Sequence, residues 1–173
     1  MNQYLILSII GDDKPGLVEG LSETIAKHQG NWLDSRMAHL ADKFTGILTV
    51  TVPKQQEASL TQALHNLDKL GLHIMVERAN VGQAMGQTLK LSLVGNDKPG
   101  IVKEVSQVLN GFLINVSELT THCEPAPMSS EMLFKAEATL QASSALNVQE
   151  LEQALERIAS DLIVDIRISG GQP

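Results

Sequence analysis

The octapeptide Gly11-Asp-Asp-Lys-Pro-Gly-Leu-Val18 recurs 84 positions later as Gly95-Asn-Asp-Lys-Pro-Gly-Ile-Val102. Only Asp12/Asn96 and Leu17/Ile101 differ, and each copy follows a short apolar run. An internal repeat of this kind makes the chain one module built twice, so any fold assigned to it must come as two similar units. The 173 residues then divide into a first unit over 1–82 and a second over 83–173. Units of that size sit near the lower limit for a self-sufficient core. The expectation is a tightly packed tandem pair or a homo-oligomer.

The pattern around each octapeptide repeats as well. In the first unit Tyr4–Ile10 reads as a strand, and Leu17, Val18, Leu21, Ile25 and Ala26 recur at helical spacing until Gly30. Asn31–Leu40 and Phe44–Val52 read as two strands around the turn Ala41-Asp42-Lys43, with Pro53 ending the second. A second helix is expected to place Leu60, Ala63, Leu64, Leu67 and Leu70 on one face before Gly71, followed by a strand over His73–Ala79. Asn80–Gln87 is a short linker. The second unit repeats the order with strands at Leu89–Val94, Asn115–Cys123, Met132–Leu140 and Val164–Ile168. Its helices are lined by Ile101, Val105, Val108, Leu109 and Phe112, then by Val148, Leu151, Leu155, Ile158 and Leu162. Each unit is therefore β-α-β-β-α-β, an α+β ferredoxin-like arrangement: a four-stranded antiparallel sheet with two helices on one face. Its first and third strands lie in the middle. The copies differ mainly in a longer connection at Glu124–Ser130.

Charge narrows the function classes. The net charge is −7. Up to Gly82 there are 7 basic and 9 acidic residues, and beyond it 6 and 11, with no Lys/Arg run. Nucleic acid binding needs cations to replace the counterions of phosphates, so direct binding is not expected. The single cysteine, Cys123, leaves no intramolecular disulfide and no Cys-rich zinc site. The N-terminus lacks a signal pattern and no apolar run spans a bilayer, so a cytoplasmic protein is expected. No cofactor or metal is implied.

The repeated loop is where chemistry is expected. Pro15 and Pro99 suit a first helical turn, because proline has no amide hydrogen to leave unpaired. Gly16 and Gly100 leave the amides of Leu17, Val18, Ile101 and Val102 open to close approach. Unpaired first-turn amides and the helix dipole favour a carboxylate or phosphate. Asp13 and Asp97 either cap the helix or accept a hydrogen bond from a ligand's ammonium group. Caps are common and sites are few, so the cap is the default. Amides on one side and a carboxylate on the other complement an α-amino acid. Leu17-Val18 and Ile101-Val102 stand where a nucleotide-binding P-loop requires Lys-Ser/Thr, which excludes that use.

These residues, with Asn31 and Asn115 opening the second strand of each unit, resemble the ACT domain. The resemblance rests on Asp13, Pro15, Gly16 and Asn31, repeated as Asp97, Pro99, Gly100 and Asn115, and covers nearly the whole chain twice. It implies a regulatory module that binds an amino acid near this loop, at an interface between paired domains. The stretch Asn31-Trp-Leu-Asp-Ser-Arg-Met-Ala38, followed by Phe44, is similar to the glycine cleavage system transcriptional repressor family. That likeness implies a non-enzymatic regulator with glycine as effector, acting on a LysR-type activator through protein contact. Ala41 departs from the pattern, standing where the family usually has glycine. The turn then takes another geometry or accepts strain.

Other residues point to structure more than to chemistry. His122 and Cys123 are strand neighbours facing opposite sides, so the imidazole is not placed to activate the thiol, and a buried or edge thiol is expected. Asp34 and Arg36 are expected on one face of their strand, and Leu33, Ser35 and Met37 on the other, with the charged face either solvated or a contact surface. His28, His39, His65, His73 and His122 have no metal-ligand spacing. Trp32 is expected against the first helix or as a ligand wall. Two rivals to the sensor remain: an interaction module that regulates a partner without any ligand, and a small enzyme. No nucleophile–base–orienter set supports the second.

Overall fold

The computed structural model describes residues 1–79, 86–127 and 131–170. It separates into two compact units, Met1–Gly82 and Gln83–Pro173. Of the linker expected at Asn80–Gln87, residues 80–85 lie outside those described, while Gln87 opens the first strand of the second unit rather than closing a linker. The boundary after Gly82 and the end of the connection at Ser130 also lie outside the described residues.

In the first unit the chain runs β1 (Asn2–Asp12), α1 (Leu17–Lys27), β2 (Asn31–Leu40), β3 (Lys43–Pro53), α2 (Glu57–His65) and β4 (Leu72–Arg78). The sheet order is β2-β3-β1-β4, with every neighbour antiparallel. The period-2 alternation of β1 turns Leu5, Leu7 and Ile9 inward. There Leu7 lies opposite Leu48 on one side and Val76 on the other. Leu21 and Ile25 of α1 and Leu60 and Leu64 of α2 close the core from the helix side. Each such side chain contributes about 1.5–3 kcal/mol when fully buried.

The second unit runs β5 (Gln87–Asn96), α3 (Ile101–Gly111), β6 (Asn115–Pro125), β7 (Met132–Ala142), α4 (Val148–Leu162) and β8 (Val164–Gly170), with sheet order β6-β7-β5-β8. Leu89, Leu91 and Leu93 take the inward positions of the central strand, against Val105 and Leu109 of α3 and Leu151 and Leu155 of α4. Asn147 caps α4: its side-chain oxygen accepts from the amides of Gln149 and Glu150, and its amide donates to Glu150 Oε1 at 2.9 Å. Both units are thus the expected α+β fold.

Two expectations need correction. The second helix of the first unit does not continue to Leu70. It ends at His65, and Asn66–Leu70 is a 3₁₀ segment stopped by Gly71 at φ 80. Three residues per turn rotate the later leucines off the α-helical face. Leu67 still packs on the core, but Leu70 is 62% exposed. In β2 a bulge breaks the alternation, because Trp32 pairs with Val50 but Ser35 pairs with Leu48. Three steps along β2 match two along β3, so Trp32 and Met37 face the core together while Leu33 is excluded to the surface. The same irregularity falls between Val116 and Glu118 in β6.

Candidate ligand-binding loops

Each loop begins where the central strand runs out. Asp12 is the last residue of β1, opposite Lys43. A Cβ on the preceding Gly11 would sit 2.4 Å from the Gly71 carbonyl oxygen, so only glycine fits. The chain leaves the sheet at Asp13, whose amide donates to Asp42 O at 3.1 Å, and turns through Lys14 and Pro15. Gly16 is the helix N-cap, at φ 90 and ψ −2, and its carbonyl accepts from the Gly20 amide at 2.9 Å. The second copy is built alike. The Asp97 amide donates to Met132 O at 2.8 Å, and Gly100, at φ 100 and ψ −9, accepts from the Glu104 amide at 3.0 Å.

The aspartate and proline roles expected from sequence change here. No side chain caps α1 or α3, because the N-cap position belongs to glycine. Asp13 instead lies 3.8 Å from His39, Oδ2 to Nε2, with both side chains about half exposed. Pro15 and Pro99 precede the N-cap and are not in the first turn. The first-turn amides have no carbonyl a turn behind them, and no side chain caps them. A Cβ on Gly16 or Gly100 would meet nothing within 4 Å. Their left-handed φ, rather than lack of room, is what demands glycine.

The candidate residues divide between different places. Pro15, Gly16 and Leu17 line a cleft of about 230 Å³ beside the 3₁₀ segment, with Lys14, Leu67, Leu70 and Leu72. Asp13 and Val18 are exposed and are not among its lining residues; nor is Asn31, which opens β2 opposite Thr51. In the second unit Ile101 and Val102 line an apolar cavity between α3, β6 and β7. Asp97, Pro99, Gly100 and Asn115 are all exposed and outside it, Asn115 lying opposite Gln141. Sequence reasoning missed Leu67 and Leu70 as cleft walls, and Val116, Leu119 and Phe134 as cavity walls. The only signal for them was apolarity, which assigns a residue to packing of any kind.

Electrostatics distinguish the copies. Asp12 and Lys43 form an ion pair; the Lys43 ammonium holds the Asp12 carboxyl below its ordinary value, and Asp12 holds Lys43 above its own. The equivalent Asn96 instead donates to Glu131 Oε2 at 3.0 Å. At the end of β6 the Glu124 carboxylate takes Lys135 at 2.5 Å, which holds its carboxyl below the ordinary value. The same carboxylate lies 3.6 Å from His122. Cys123 between them is exposed, on an edge strand. Among the described residues no group of three or more His, Cys, Asp or Glu is placed to hold a metal, and no helix is long and apolar enough to cross a membrane.

The fold and its doubled loop define a class. A family model for the ACT domain matches residues 3–77, within the first unit, and the chain carries that fold twice in tandem. Over 163 residues it is 22% identical to the glycine cleavage system transcriptional repressor of Escherichia coli (strain K12), covering 92% of this chain and 85% of that protein. A UPF0237 protein of Methanococcus maripaludis is 30% identical over 86 residues, 48% of this chain and 96% of its own length. Among solved structures, an unknown protein from Galdieria sulphuraria superposes with a TM-score of 0.84 at 29% identity, covering 98% of this chain and 99% of that one. A chain assigned provisionally to the glycine cleavage system transcriptional repressors superposes with a TM-score of 0.72 at 18% identity, covering 98% of each chain, a likeness of fold.

Proposed function

We propose that this chain is a non-enzymatic regulator that responds to a small amino acid, glycine being the first candidate. In this reading it acts on its target through protein contact rather than by binding DNA. The observation that carries the reading is the doubled loop. In each unit a left-handed glycine N-cap leaves the first-turn amides of a helix uncapped by any side chain. Such amides suit a carboxylate. Support for a regulatory role comes from the repressor of Escherichia coli, whose similarity runs through both units. The acidic net charge of −7 favours a protein target over a phosphate backbone. A LysR-type activator is the partner to try first. The effector would act by binding one conformation of the chain better than another, and partner affinity would shift by the same factor.

Isothermal titration of the folded chain against the twenty amino acids tests the sensing step. A saturable heat with glycine or another amino acid is expected. No heat with any of them removes the sensor reading. A partner captured equally well with and without amino acids would then identify a ligand-independent interaction module.

A further inference from the structure

The two units share a fold but differ in the sheet face turned away from their helices. In the first unit that face carries Tyr4, Ile6, Ile10, Leu40, Ile47 and Met75, each between 40% and 73% exposed. In the second unit the equivalent face is polar. Ile6 lies opposite Thr49 as Lys90 lies opposite Thr139, and Ile47 and Met75 flank Ser8 as Glu137 and Arg167 flank Ser92. The register thus sets Lys90, Glu137 and Arg167 where the first unit has Ile6, Ile47 and Met75. Lys90 Nζ donates to Thr139 Oγ1 at 2.5 Å, and Gln141 Nε2 to Thr88 Oγ1 at 3.0 Å, cross-strand pairs that suit a face turned to water. The first unit instead carries the residues of a covered face. At about 200 Å² for a large side chain, the six apolar residues expose on the order of 600 Å², the upper end of the largest patch on a typical monomer.

This face is complementary to itself. Across the central strands β1 and β3 the register sets Tyr4 beside Thr51, Ile6 beside Thr49, Ser8 beside Ile47 and Ile10 beside Thr45. Every row joins one large side chain to one small one. A two-fold axis parallel to the strands, between two such sheets stacked face to face, lays β1 over the partner's β3 and β2 over the partner's β4. Each large side chain then meets a small one, as the inner faces of a β-sandwich interdigitate at a spacing of about 10 Å. The two edges match in charge as well. Arg36 of β2 lies in the row of Ile47, Ser8 and Met75, and Glu77 of β4 lies one row along, opposite Ile6. The same axis brings each Arg36 within about 7 Å, measured along the strands, of the partner's Glu77. We infer that the first unit docks face to face on the first unit of a second copy of this chain, forming a symmetric dimer. With Thr45, Thr49 and Thr51 added, the face approaches the ~800 Å² per partner of a standard interface.

Sedimentation equilibrium of the full chain, from low micromolar to near-millimolar concentration, tests the contact. A species of twice 18.7 kDa is expected as concentration rises. Ile47→Glu and, separately, Ile6→Lys introduce the residues that the second unit carries at these positions. Either variant, folded by circular dichroism, should weaken dimerisation at least tenfold. In the unmodified chain the methyl groups of Ile6, Ile47 and Met75 should be shielded from a soluble paramagnetic probe in the dimer and become accessible on dilution. A monomer mass throughout overturns the proposal: accessible methyls then leave the face to a different protein, and shielded ones mean that it is covered within the chain. A dimer unchanged in a folded variant, or one whose methyls stay accessible, uses another surface and overturns the proposal too. If neither variant folds, the shielding measured on the unmodified chain decides.

Discussion

Asp13 is placed 3.8 Å from His39, Oδ2 to Nε2, and makes no bond to the helix that starts four residues later. The contact ties the repeated loop to the end of β2. Two partly exposed groups at that distance form a weak, salt-screened pair. Replacing Asp13 by alanine is therefore expected to cost less than about 0.5 kcal/mol in urea unfolding. A helix cap would lose about 1 kcal/mol or more, and a loss of that size would return Asp13 to the capping role.

The glycines of the loop should behave in the opposite way. Gly16 and Gly100 stand at φ 90 and 100 with open space where a Cβ would go. A Gly→Ala change at either position creates no clash, yet forces an L-residue into the left-handed region at about 1–2 kcal/mol. Asparagine, which tolerates that region, should cost less than alanine. Equal losses for the two substitutions in chemical denaturation would show that something other than φ makes glycine necessary.

Ala41 offers the complementary experiment. It occupies φ 56 at the turn between β2 and β3, so the missing glycine is met by strain rather than by a changed turn. Ala41→Gly relieves the strain and loses some unfolded-state restriction. A net gain of about 0.5–1 kcal/mol is expected from the difference of these two effects. A destabilised A41G variant would show the turn to be unstrained.

Acid should weaken the first loop by a route the second lacks. The Lys43 ammonium holds the Asp12 carboxyl below 3.8, its ordinary value. A carboxyl depressed in the folded state contributes stability above its unfolded pKa and loses it as pH falls through the folded one. The contribution of Asp12 is thus present at neutral pH and disappears below about pH 4. Asp12→Asn, which reproduces the residue of the second copy, should flatten the acid limb of the stability–pH curve. An unchanged limb would mean that the pair persists in the unfolded chain or contributes nothing.

Much of the architecture could be read from local pattern. Leu5, Leu7 and Ile9 alternate, Leu21 and Ile25 recur at helical spacing, and Gly71 and Pro53 punctuate the chain, so element types and most core positions follow from periods of 2 and 3.6. The loop was legible as a place, since the octapeptide is a contiguous string. Its internal roles were not. Aspartate, proline and glycine all favour helix starts, and composition does not say which of them occupies the N-cap.

The sequence by itself determined that one β-α-β-β-α-β module occurs twice, and that each copy carries the same strand-to-helix loop. Those features rest on interactions between residues near in the chain, where side-chain period and turn chemistry decide. Tertiary structure alone decided that a bulge turns Trp32 and Met37 to the core and leaves Leu33 outside, because the register of β2 is set by its partner strand. It also decided that Leu70 is exposed, and that Leu91, Val105, Phe134 and Ala138 come together around one apolar cavity. Cavity volume is a sum over side chains from strands and helices distant in sequence, and no single stretch of the chain contains it.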